Sequence, residues 1–138
     1  MSSESTLQKV VVRTRQGEVR RGFSDPRQIE PSLRLINTQG DEESFDLGDL
    51  KAVFVVKEFE GDPKYKAVQS LSRLKGSRAV WVRLKFFDGE EIEGRIQNNL
   101  SLLTEDGFFI WPSDSDSNNR YAYIVKSALE EFAILSAD

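Results

Sequence analysis

Lys9 to Arg15, KVVVRTR, sets Val10, Val12 and Thr14 against Lys9, Arg13 and Arg15 in strict alternation, the period of a half-buried β-strand. Gln16-Gly17 breaks it and EVRRGF resumes an extended pattern, which predicts a hairpin. Asp25-Pro26 and Glu30-Pro31 mark a loop, because proline pushes the residue before it out of the helical region. SLRLINT, Ser32 to Thr38, predicts a third strand with Leu33 and Leu35 on one face. After the polar turn QGDEE, the stretch SFDLGDLKAVFVVKEF supplies two more short strands separated by Gly48-Asp49.

Phe59 to Ala79 interrupts this rhythm with Gly61, Pro63 and Gly76. Val68, Leu71 and Leu74 stand at helical spacing there, so a short helical or irregular linker is expected. The β pattern then restarts as VWVRLKFF, Asp88-Gly89, EEIEGRI, GFFIWP and YAYIVKSALEEFAIL. Gly17 to Gly89 and Gly22 to Gly94 both differ by 72 positions, while Phe45 to Tyr123, Leu47 to Val125, Phe54 to Phe132 and Val56 to Ile134 differ by 78. Six extra residues in the central loops of a second copy explain the change, and an internal duplication is the simplest reading. The expected organisation is a flexible tail over 1–8, one unit over 9–58, the linker over 59–79 and a second unit over 80–138. Five short, strongly bent strands bury an apolar interior by curling into a small barrel. The fold class expected is therefore all-β, two tandem five-stranded small barrels packed on each other. Gly22 and Gly94 would sit at the corners where the second strand bends or another backbone comes close.

Asp88, Gly89, Ile92, Gly94 and Ile96 spell D-G-x-x-hydrophobic-x-G-x-hydrophobic, which resembles the first motif of the Sm-like small barrels, and YIVKSALEEFAIL resembles the second in position. The resemblance covers most of residues 80 to 135, with a weaker echo over 9 to 57, and implies an SH3/Sm-like barrel for each copy. RNA-binding members carry Arg-Gly in the second motif, whereas Lys126-Ser127 stands here. Val19 and Phe23 fall one step out of register with Ile92 and Ile96, which implies a bulge or a divergent repeat. The whole chain also resembles an uncharacterised bacterial family with an A-V-F-hydrophobic-V-K-x-F-E-G-D segment, here Ala52 to Asp62, and a G-F-F-x-x-P-x-D-x-x-S-N-N segment, here Gly107 to Asn119.

Composition narrows the chemistry. Of 138 residues none is cysteine or histidine, which removes disulfides, thiolate nucleophiles, imidazole bases and the commonest transition-metal ligands. No enzyme activity, cofactor or metal site is expected. Asp114 and Asp116 alternate in SDSDSNN but lack the glycine and distant glutamate of a calcium loop. No apolar run is long enough to span a bilayer and the polar start lacks a signal-peptide core, so a cytoplasmic protein is expected.

The net charge of −4 disfavours indiscriminate nucleic-acid or membrane binding, yet residues 9 to 34 carry a local balance of +4. Lys9, Arg13 and Arg15 share a strand face that Arg20, Arg21 and Arg34 would extend into a phosphate-binding patch, or these cations simply pair with acidic residues. GFFIWP is apolar on both faces, so Phe109 and Trp111, with Trp81, either pack between the units or anchor a protein partner. The acidic hairpin Asp88, Glu90, Glu91 and Glu93 is a solvated face or docks onto the basic hairpin of a neighbouring molecule or copy. The leading functional expectation is a non-enzymatic adaptor or regulatory module that binds a protein partner or self-associates through strand edges and exposed aromatics. The alternative is nucleic-acid or nucleotide binding through the basic first hairpin.

Overall fold

The computed structural model describes residues 7–29, 31–59, 79–98, 100–112 and 117–137. The helix expected around Val68 to Leu74, and Asp114 and Asp116, lie outside the described residues. Among the described residues ten strands follow one another: β1 Gln8–Thr14, β2 Val19–Ser24, β3 Ser32–Asn37, β4 Glu42–Asp46, β5 Leu50–Val56, β6 Ala79–Phe86, β7 Glu91–Gln97, β8 Gly107–Ile110, β9 Asn119–Val125 and β10 Leu129–Ala137. A single helical turn, α1 Ser101–Thr104, precedes β8, and 3-10 turns at Leu47–Asp49 and Lys126–Ala128 precede β5 and β10. The protein is all-β and every strand pair is antiparallel.

The alternation seen in KVVVRTR places Val10, Val12 and Thr14 in the interior as expected. Both predicted hairpins close at a glycine with φ near +90°, Gly17 (92°) and Gly89 (93°), a conformation that side chains bearing Cβ rarely adopt. At Gly22 an added Cβ would collide with the Ile36 carbonyl oxygen, and at Gly94 with that of Trp111. Both glycines therefore mark the place where the third strand of each half crosses hard against the second. Arg95 and Trp111 exchange two backbone hydrogen bonds of 2.8 and 2.9 Å at this crossing.

Strand neighbours repeat. The first half runs β4-β3-β2-β1-β5, and the second, counting the Arg95–Trp111 bridge, runs β9-β8-β7-β6-β10. Loop hydrogen bonds recur as well: Arg15 N to Asp49 O (2.9 Å) matches Phe87 N to Ala128 O (3.0 Å), and Leu47 N to Pro31 O (3.2 Å) matches Lys126 N to Asp106 O (3.0 Å). The two 3-10 turns begin at Leu47 and Lys126, 79 positions apart, and are followed by Leu50 and Leu129 at the same separation. This corrects the 78-residue correspondence read from side-chain type. The true counterpart of Phe45 is Ile124, and the counterparts of Val53 and Val55 are Phe132 and Ile134. No bulge separates β1 from β2; Ser24 instead fills the inward position that Ile96 holds in β7, its hydroxyl donating to the Arg34 carbonyl at 2.5 Å. Phe23 turns outward onto Phe59, 5.5 Å between ring centres.

No ring of strands closes among the described residues. β5 pairs with β9, so seven strands form one continuous sheet, β4-β3-β2-β1-β5-β9-β8, beside the three-stranded sheet β10-β6-β7. This departs from the expectation of two closed barrels, and the physical reason lies in β5 and β9 themselves. Every residue of β5 is buried. Val53 and Val55 join Val10, Val12, Leu33, Leu35, Tyr123 and Val125 in one core; Ala52, Phe54 and Val56 join Val82, Leu84, Phe86, Ile96 and Ile124 in another. A strand apolar on both faces needs cover on both: one core covers the Val53–Val55 face and the other the Ala52–Phe54–Val56 face, and the pairing of β5 with β9 joins the halves at that place.

Candidate interaction surface

β10 pairs with β6 along one edge, and among the described residues no strand pairs with its other edge. Phe132 stands opposite Leu84 and Ile134 opposite Val82, so both point to the face where Leu84 and Val82 are fully buried. Their counterparts Val53 and Val55 are 0% exposed beneath the β5–β9 seam; Phe132 is 40% exposed and Ile134 64%. Phe132 keeps one ring contact, edge-on to Phe108 with centroids 5.9 Å apart. Lys85 reaches Glu130 and Glu131 at 3.8 and 3.6 Å on the solvent side of the strand. The opposite end of the assembly, β4, presents Glu42, Glu43, Ser44 and Asp46, an edge guarded by charge.

The three expected aromatic anchors separate. Trp81 is 4% exposed, too deep to touch a partner. Phe109 packs edge-on to Tyr121 and Tyr123, centroids 5.7 and 5.2 Å away, against the first core, and Trp111 lies tilted over Tyr121 at 6.0 Å. GFFIWP thus does what its two apolar faces demand: Phe108 and Ile110 enter one core while Phe109 serves the other. Phe109 and Trp111 also line a cleft of about 590 Å³ between the Pro26–Ile29 loop and the β7–β8 region, where Arg27, Gln28 and Glu105 bring polar groups.

The basic residues do not converge. Register puts Arg21 opposite Val11, on the Lys9–Arg13 face, but Arg20 opposite Val12, on the other face, because neighbours in a strand alternate. Lys9 pairs with Glu58 (3.4 Å), Arg20 with Glu18 (3.0 Å) and Glu43 (3.5 Å), and Arg34 with Glu42. Arg15 donates to the Leu50 carbonyl (3.2 Å) and to the Ser127 hydroxyl, and Arg21 to the Phe59 carbonyl (3.3 Å). Arg13 lies against the Phe54 ring, 5.5 Å from its centroid, with Nε lacking a hydrogen-bond partner. The acidic hairpin docks within the molecule: Lys51 of β5, 5% exposed, meets Asp88 (2.8 Å) and Glu90, its ammonium 4.7 Å from the Phe86 ring centre. The Lys51 hydrogen bond holds the Asp88 carboxyl below the usual carboxylate range, helped by the Glu90 backbone N–H.

No group of three or more potential metal ligands occurs among the described residues, and no helix is long and apolar enough to cross a membrane. Reasoning from the sequence missed Lys51 and the uncovered Phe132 and Ile134. The apolar pair Phe132 and Ile134 in EEFAIL was legible as a strand face, but its exposure depends on the β5–β9 pairing, which has no counterpart at β10 among the described residues. A family model matches residues 6–136. The chain belongs to a family of unknown function (DUF6982). No curated protein and no solved structure matches this DUF6982 chain.

Proposed function

We propose that this DUF6982 chain is a non-enzymatic interaction module, made of two open SH3/Sm-like small-barrel units fused through β5 and β9, that binds by accepting a further strand on β10. The observation that carries the reading is the contrast between Val53 and Val55, sealed by β9, and Phe132 and Ile134, which occupy the same positions in the second half without cover. Strand addition is an established recognition mode, in which main-chain hydrogen bonds supply affinity and alternate side chains supply selectivity. The salt links of Lys9, Arg20 and Arg34 weaken the alternative of a phosphate-binding hairpin, because those cations already have carboxylate partners. The lack of histidine and cysteine supports a binding role over catalysis, and a cytoplasmic setting belongs to the same reading.

Ile134→Lys tests it. Because Ile134 is largely exposed, the variant should fold with an unchanged melting temperature. Quantitative affinity purification and sedimentation of both forms should show associations of the wild type that the variant loses. If every association of the wild type persists in Ile134→Lys, the reading fails.

A further inference from the structure

The uncovered edge also carries information about what covers it. We infer that the occupant is β10 of a second copy, paired antiparallel about a two-fold axis through Ala133; this rests on the strand-addition reading and specifies its partner.

Three observations lead there. First, β10 is the longest of the described strands, nine residues without proline, and it ends its sheet with apolar side chains on the interior face. Such an edge is a template for pairing. Second, the molecule's own β5–β9 seam shows what this position accepts. There Val53 and Val55 lie opposite Tyr123 and Tyr121. Carrying that register by the 79-residue correspondence to a head-to-tail contact with β4 would set Phe132 against Ser44 and Ile134 against the Glu42 carboxylate. β4 has lost the aromatic residues that make the seam apolar, and its charges repel the fit.

Third, β10 is complementary to itself. Neighbouring antiparallel strands related by a two-fold axis place residues with a fixed sum of positions opposite each other, facing the same side. With Ala133 on the axis, Phe132 meets Ile134 of the second copy and Ile134 meets its Phe132. The register of β10 shifts between Leu129 and Glu131 and again between Ile134 and Ser136, so the regular pairing runs over Glu131–Ile134, and there no two carboxylates oppose one another. Centring the pair on Phe132 would set Glu130 against Ile134, and centring it on Glu131 would oppose like charges. Lys85, already beside Glu130 and Glu131, offsets what negative charge the two strands share. The result is a six-stranded sheet, β7-β6-β10 continued by the same three strands of the second copy, with both apolar pairs covered.

The full chain tests this directly. Sedimentation across a dilution series should show a dimer whose dissociation constant rises at least about tenfold in Ile134→Lys, with the melting curve of the dissociated chain unchanged. Because the chain has no cysteine, Ala133→Cys introduces one thiol; across the axis it would meet its own copy within the Cα separation a disulfide allows, and mild oxidation should link the dimer. Ser44→Cys should remain unlinked. A wild type that is monomeric throughout the series overturns the two-fold pairing, while associations with another protein that Ile134→Lys abolishes would leave the strand-addition reading standing. A dimer indifferent to Ile134→Lys, or a mixed disulfide between Ser44→Cys and Phe132→Cys chains, overturns it in favour of a different contact.

Discussion

At the scale of single residues, the glycines and the buried lysine carry the most decisive physics. Gly22 and Gly94 leave room for a backbone carbonyl that cannot move without breaking the adjacent strand contact, so Gly22→Ala or Gly94→Ala should each cost about 2–3 kcal/mol in urea unfolding. Lys51 shows the opposite dependence on its partners. Removing Asp88 and Glu90 together leaves an ammonium buried without a counter-charge and should lower the urea midpoint, whereas Lys51→Met, which keeps the volume and frees two half-exposed carboxylates, should change it far less. Asp88 adds a pH signature. Its folded pKa is depressed from 3.8, so its contribution is fully present above that value and is lost as pH falls through the folded pKa. Melting temperature should thus fall more steeply below pH ~4 in the wild type than in Asp88→Asn, which has no such proton to take up; parallel acid titrations of the two would sink the argument.

At the scale of strands, residue type announced each element but not its alignment between the copies. Phe54 and Phe132 invite a match by their aromatic rings, yet the 3-10 turns and the β6–β10 pairing equate Phe132 with Val53. A one-residue slip turns every side chain to the opposite face, and here it changes which core each residue serves. The same logic explains Phe23, which reads as an inward residue by composition but stands on the outer face, with Ser24 inside and satisfied by the Arg34 carbonyl. Position, more than residue type, should set the cost of truncation. Phe54→Ala, which empties a place in the second core and removes the ring under Arg13, should cost about 3–4 kcal/mol, while Ile134→Ala, measured on dissociated chain, should cost under about 0.5 kcal/mol.

At the scale of the whole molecule, the two halves share what neither holds alone. β5 lends Ala52, Phe54 and Val56 to the core of the second half, and β9 lends Tyr123 and Val125 to the core of the first. Residues 77–138 expressed alone should therefore unfold at far lower urea than the intact chain, having lost one wall of their interior; equal stability would refute the shared core. The sequence by itself determined the ten-strand alternation, the duplication and the glycine crossings, because period-two burial, positive φ and tight backbone approach are local demands that residue type must satisfy. Only the tertiary structure decided that β5 and β9 join the halves into a single seven-stranded sheet, which edge is left uncovered, and which cation meets which carboxylate. Those outcomes depend on contacts between residues far apart in the chain, and a strand apolar on both faces states that it needs cover without stating what provides it.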